Sequence, residues 1–219
     1  MTRRVRPSAV ATRQQTRALA ERIPEVVATL RSQTPAPAVA HATPALLLMM
    51  GLPGVGKSHC ARILAERLGA AHVASDHLRS QLFVAASYAQ EENAAVFRII
   101  DGLVERLVAE GHRVIVDATH LRQSARESMS SLARRRGVPL AHVLVVADEA
   151  EILARLAERR RARAAEDRSD ADERVYRAML ARGFEVPEEA YLTIRNGRDL
   201  EREIERVAED LGARWSAAI

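Results

Sequence analysis

The sequence predicts an α/β protein: a three-layer sandwich in which a five-stranded, mostly parallel sheet lies between helices, with a helical lid. Three observations predict it. Short apolar runs alternate with helical stretches from Ala45 onward, the order that builds a parallel sheet covered on both faces. The first run, Ala45-Leu46-Leu47-Leu48-Met49-Met50, is apolar throughout, as a strand buried on both sides must be. That run leads straight into the glycine-rich stretch Gly51-Leu52-Pro53-Gly54-Val55-Gly56-Lys57-Ser58, and a helical stretch follows.

This stretch matches the phosphate-binding pattern G-x-x-x-x-G-K-[ST] at every fixed position. Its glycines let the backbone curl until several N–H groups face one concavity that holds phosphate oxygens. Lys57 would reach the β- and γ-phosphates, and Ser58 would offer a hydroxyl to Mg²⁺. The N-terminus of the next helix points partial positive charge at the same anion. Lys57 is the only lysine in the chain. Arginine serves elsewhere, and lysine is kept where a compact ammonium suits phosphate better than a guanidinium fork. His59 stands where Ser or Thr is more usual and is placed to touch the α-phosphate, or simply starts the helix.

Residues 1–43 read as an N-terminal extension distinct from the body at 44–219. Five arginines precede its first acidic residue, Glu21, an acid-poor start that resembles a transit peptide or, more plainly, an arginine-biased helix. Leu19, Ile23, Val26, Val27 and Leu30 fall near helical spacing, with a break and a new start at Pro24. A Pro- and Ala-rich linker follows, over residues 32–44. The extension packs on the body, binds a partner or is mobile; all three remain open from the sequence.

After the loop, a helix over residues 59–68 ends at Gly69. A weak second strand covers 71–74. A helical region spans about 77–110, interrupted near Ser87. The third strand is 112–117, a helix covers about 123–136, and the fourth strand is 140–146. A long helix starts near Glu149, breaks at 164–170 and resumes over about 171–182. The fifth strand is 191–195, and the last helix covers about 199–211. In such sheets ligands lie beyond the carboxyl ends of the strands, so the residues just after each strand matter most.

After the second strand come Asp76 and Arg79. An aspartate there is placed to take a proton from an attacking hydroxyl, and Arg79 shares its helix face, where it would bind the acceptor. The plainer alternative is a helix N-cap with a solvated arginine. After the third strand comes Asp117, where a carboxylate would hold Mg²⁺, or cap the next helix. Thr119 and, further on, Arg126 would face the acceptor. After the fourth strand, Arg155, Arg159 and Arg163 recur at four-residue spacing and form one stripe. Over residues 155–185 they suit a lid that closes over phosphates, or a solvated basic helix. After the fifth strand, Asn196-Gly197 is a turn that would touch the adenine base.

With 219 residues the chain buries a real core and most simply forms one domain with an appendage. Its net charge of +4 permits anionic ligands but demands none. One cysteine excludes an internal disulfide and fits a reducing, cytoplasmic compartment. No run of about 18 apolar residues exists, so no membrane span is expected, and no obligate protein partner is evident.

Taken together, about residues 45–211 resemble the P-loop kinases, a branch of the P-loop NTPases, that phosphorylate hydroxyl groups. The branch most similar holds polynucleotide 5′-hydroxyl kinases, zeta-toxin-type kinases and small ATP-binding proteins labelled AAA-family ATPases. The resemblance rests on residues 51–58, on Ser75-Asp76-x-x-Arg79, on Val116-Asp117-Ala118-Thr119, and on the arginine helix followed by Ser169-Asp170-Ala171. It implies ATP and Mg²⁺ as cofactors, Asp76 as general base and Arg79 as acceptor ligand. It also implies phosphate contacts from Arg159 or Arg163. The expected activity is transfer of the γ-phosphate to a hydroxyl acceptor, either a nucleic-acid 5′-end or a small molecule. The alternative is a regulatory ATPase without a phosphoryl acceptor. A GTPase is disfavoured, because its guanine-reading motif needs a second lysine.

Overall fold

The computed structural model describes residues 9–38, 40–83, 89–162 and 173–217. Two helices open it, α1 (Ala9–Glu21) and α2 (Ile23–Gln33), with Pro24 in the first turn of α2, where a missing N–H costs nothing. The body then runs β1 (Leu46–Met50), α3 (Lys57–Leu68), β2 (Ala70–Ala74), α4 (Ser75–Leu82) and α5 (Gln90–Ala109). It continues through β3 (Arg113–Asp117), α6 (Gln123–Arg136), β4 (Leu140–Val146) and α7 (Glu149–Ala162). It closes with α8 (Glu173–Arg182), β5 (Leu192–Arg195) and α9 (Leu200–Ser216). The expected interruption near Ser87 lies outside the described residues. The last helix runs a turn further than its spacing predicts, because Trp215 turns back into the core at 1% exposure.

The sheet has the order β2-β3-β1-β4-β5, and every pairing in it is parallel. β1 is central, and all five of its side chains are fully buried. Period two divides them between the faces. Leu47 and Met49 join α3 and α9 in one core, with Leu64, Ile204, Leu211 and Trp215. Leu46 and Leu48 join α5 and α6 in the other, with Ile99, Leu103, Leu107 and Leu132. These two cores hold the carboxyl ends of β1, β2 and β3 side by side. Met49 and Ala74 both stand level with Asp117.

The extension packs on the body. Val27 and Leu30 of α2 are buried against α5, and each such burial contributes about 1.5–3 kcal/mol. Val27 Cγ2 lies 3.0 Å from where a Cβ on Gly102 would stand, so α5 carries a glycine where α2 crosses it. Arg31 pairs with Glu110 at 2.6 Å. His41 donates its Nε2–H to the Gly69 carbonyl at 2.6 Å and its backbone N–H to Gly111 at 2.9 Å. The Pro- and Ala-rich segment is thus strapped to the body at both ends. These contacts are tertiary, which is why local sequence pattern left the placement open.

Candidate active site

The glycine-rich loop leaves β1 and delivers Lys57 at the first turn of α3. Gly56 has φ +93°, and a Cβ there would fall 2.1 Å from Asn196 Nδ2, so no other residue fits. Asn196, 8% exposed, donates that Nδ2–H to the Val55 carbonyl at 2.8 Å. Its amide thus braces the loop from the end of β5. Ile152 Cγ2 and Leu156 Cγ of α7 each lie 3.0 Å from where a Cβ on Gly54 would stand, and Arg155 approaches the same Val55 carbonyl at 3.5 Å. Entry to the loop is fixed by the Gly51 N–H, which donates to the Thr119 carbonyl at 3.1 Å.

Four charged groups converge here. Lys57 Nζ donates to the Leu52 carbonyl at 3.0 Å. Burial lowers its pKa, the Arg159 charge adds to that, and the carboxylates of Asp117 and Asp76 oppose it. Burial alone would raise the Asp117 carboxyl. The His72 hydrogen bond, the Lys57 charge and the Ser58 hydroxyl outweigh it and hold Asp117 below its ordinary value. Asp117 is 4% exposed and receives His72 Nε2–H at 3.3 Å. The Ser58 hydroxyl and an ionised carboxylate are hard oxygen donors, so this pair fits Mg²⁺, whose other ligands would be phosphate oxygens and water. Ser58, His59, Asp76 and Arg159 line one groove.

Two arginines expected at the acceptor have other occupations. Arg79 is 4% exposed, with its guanidinium on the Glu92 carboxylate and, at 2.7 Å, on Asn93 Oδ1. This ties α4 to α5 just behind Asp76. Arg126 is 1% exposed and donates to the carbonyls of His120 and Glu185, each at 2.7 Å, and to Gln123 Oε1 at 2.9 Å. It staples the segment after α8 to the loop after β3. Thr119 is half-buried at that same loop. Arg163 lies outside the described residues, as does the break between the two lid helices.

Two partners escaped sequence reasoning. His72 interrupts the small apolar run Ala70-Ala71-His72-Val73-Ala74, and an imidazole in such a strand, next to one ending in aspartate, was the available signal. Glu92 is fully buried and needed a cation, which Arg79 supplies. His120 takes φ +43° and donates Nδ1–H to the Met49 carbonyl at 2.8 Å, and burial pushes its pKa down to about 4. A neutral imidazole on a backbone carbonyl is a structural part of the loop. Cys60, beside the loop, is buried and its thiol is pushed up to about 11, so it stays protonated.

Residues 46–187 match the family model described as AAA domain. The chain belongs to this AAA domain family. No curated protein sequence matches it significantly. Among solved structures, the AAA domain protein is similar to Kti12 of Chaetomium thermophilum in complex with ADP-AlF3, at 19% identity and a TM-score of 0.61 over 80% of this chain and 99% of that one. The APS kinase CysC of Mycobacterium tuberculosis, in complex with AMPPNP and APS, is 21% identical, with a TM-score of 0.56 over 77% of this chain and 98% of that one. A gluconokinase of Sinorhizobium meliloti is 21% identical, with a TM-score of 0.53 over 80% and 99%. The fold of the AAA domain protein is therefore that of the P-loop kinases. No helix among its described residues is long and apolar enough to cross a membrane.

Proposed function

We propose that this AAA domain protein is an ATP- and Mg²⁺-dependent phosphotransferase that moves the γ-phosphate to a hydroxyl acceptor. The observation that carries the reading is that Ser58, Asp76 and Arg159 line one groove beside the phosphate-binding loop, with Asp117 level with Ala74 on the neighbouring strand. In this reading the loop at 51–58 cradles the phosphates and Lys57 neutralises charge on the β- and γ-phosphates. Ser58 and Asp117 hold Mg²⁺, which when bound neutralises phosphate charge. His72 orients the Asp117 carboxylate from behind. Asp76, at the carboxyl end of β2 and half-buried in the groove, accepts the acceptor's proton as the phosphoryl group transfers. Arg159, with Arg163 from the lid at 155–185, stabilises the charge spreading over the transferring oxygens. Arg79 positions α4, and hence Asp76, from below. The extension at 1–43 stands outside this catalytic body at 44–219.

The acceptor is a small hydroxyl compound or a nucleic-acid 5′-end, the latter following the similarity to polynucleotide kinases and zeta-toxin-type kinases. One observation favours the alternative, an ATPase switch: Arg79, which the resemblance assigns to the acceptor, is spent on Glu92 and Asn93. The two are separated by label transfer from [γ-³²P]ATP to 5′-hydroxyl oligonucleotides, nucleosides, sugars and small alcohols. The kinase reading expects label on one acceptor. Phosphate released only to water supports the switch instead.

A further inference from the structure

The catalytic groove does not end within the AAA domain match. It is an open groove of about 1060 Å³, just above the roughly 300–1,000 Å³ usual for small-molecule sites. Its lining includes Ser58, Asp76 and Arg159, of which Ser58 and Asp76 follow the carboxyl ends of β1 and β2. From there it runs along β2, the outermost strand of the sheet, between α3 and α4. Its floor is apolar, from Leu78, Leu103 and Leu30. Another part of its lining is formed by Gln33, Thr34, Pro35, Ala36 and Pro37, which close α2 and begin the strap. The family match begins at residue 46, so this wall belongs to the extension alone.

The wall is held in place on both sides. Before it, Arg31 is fixed by Glu110 and by His112 Nε2 at 3.3 Å, and Leu30 is buried. After it, His41 is fixed to Gly69 and Gly111. Two prolines stiffen the segment between. A rigid wall built beside a reacting group selects by shape, since its ordering cost is met before the ligand arrives.

Charge is uneven along the groove. Arg62 of α3 lines it, is exposed, and hydrogen-bonds His59 Nδ1 at 3.2 Å. Among the described residues it pairs with no carboxylate, and Glu66, one turn further on, does not close on it. The contrast is Arg67, on the α9-facing side of the same helix, which pairs with both Glu201 and Glu205. We infer that the acceptor lies in this groove, that residues 33–37 of the extension form one of its walls, and that Arg62 receives an anionic group carried by the acceptor beside its hydroxyl. This rests on the phosphotransferase reading and adds to it a substrate class and a specificity element.

The test uses the full chain and label transfer from [γ-³²P]ATP. Acceptors are offered in matched pairs: sugar phosphates beside sugars, nucleoside 3′-monophosphates beside nucleosides, hydroxy acids beside alcohols. The expected result is preference for the anionic member of a pair. Arg62→Ala should raise that acceptor's KM at least tenfold and erase the preference. Gln33→Trp, at an exposed helix end, should raise it similarly by filling the groove. Both variants should leave the KM for ATP within twofold, which shows that they fold. Label transfer that needs Asp76 but ignores Gln33→Trp and Arg62→Ala overturns this inference alone. Absence of any labelled acceptor, with hydrolysis indifferent to Asp76→Asn, overturns it together with the phosphotransferase reading.

Discussion

Replacing His120 by asparagine should flatten the acid limb of the protein's stability. His120 is 2% exposed, and burial lowers its pKa from 6.5 to about 4. Unfolding returns it to the ordinary value. Between those two pH values the unfolded chain therefore binds a proton that the native state refuses, and stability falls as pH falls. It is fully present above pH 6.5 and is lost progressively toward pH 4. At pH 4.5 the difference in protonation corresponds to about 2–3 kcal/mol, from roughly 1.4 kcal/mol per pKa unit. Asparagine tolerates positive φ and keeps a donor for the Met49 carbonyl, so the loop geometry survives. The assay is urea unfolding followed by circular dichroism at pH 7.5 and 4.5, for both proteins. Burial also lowers His112 and His142, and Asp117 is held low, so both proteins lose stability in acid. The wild type should lose about 2–3 kcal/mol more than the variant. Equal losses would refute the claim that His120 is a buried neutral imidazole.

Two further outcomes follow from the packing. Asn196→Ala removes the 2.8 Å brace on the Val55 carbonyl, a buried bond whose loss costs about 1–3 kcal/mol, so an ATP analogue should bind roughly tenfold more weakly by calorimetry; unchanged affinity would show that the loop holds its shape without β5. Gly102→Leu places bulk where Val27 Cγ2 already stands 3.0 Å from a bare Cβ position, so α2 should lift from α5. Amide exchange over residues 23–33 should then accelerate at least tenfold while α3 keeps its protection, and uniform protection would contradict the docking.

Much of the fold was legible because its signals are local. The apolar run before Gly51, the helix between Gln123 and Arg136 and the strand at residues 140–146 are each written in consecutive residues, and the structure places them there. The loop was legible for the same reason, since one stretch carries both its glycines and its lysine. Asp117 could be placed beside it because a strand ending in aspartate pairs with β1 in register. What the sequence hid depends on residues far apart in the chain. Asn196 meets Val55 across 141 positions, and only the sheet order β1-β4-β5 brings them together. Arg79 and Arg126 read as acceptor ligands because arginine after a strand suits anions. Their burial against Glu92 and two backbone carbonyls depends on how α4, α5 and α6 pack. The groove wall at residues 33–37 was hidden most completely, since a Pro- and Ala-rich segment carries no local sign of what it lies against.

The central claim is that Asp76 serves a hydroxyl acceptor rather than merely capping α4. The most direct measurement is the single-turnover rate of phosphoryl transfer to the labelled acceptor in wild type and Asp76→Asn, with nucleotide affinity measured beside it. Loss of a general base predicts a rate lower by about 10²–10⁴-fold, with ATP affinity within about twofold because Asp76 lies beyond the loop that holds the phosphates. A rate unchanged within a factor of about three, or a loss matched by weaker ATP binding, would contradict the assignment of Asp76 as the base.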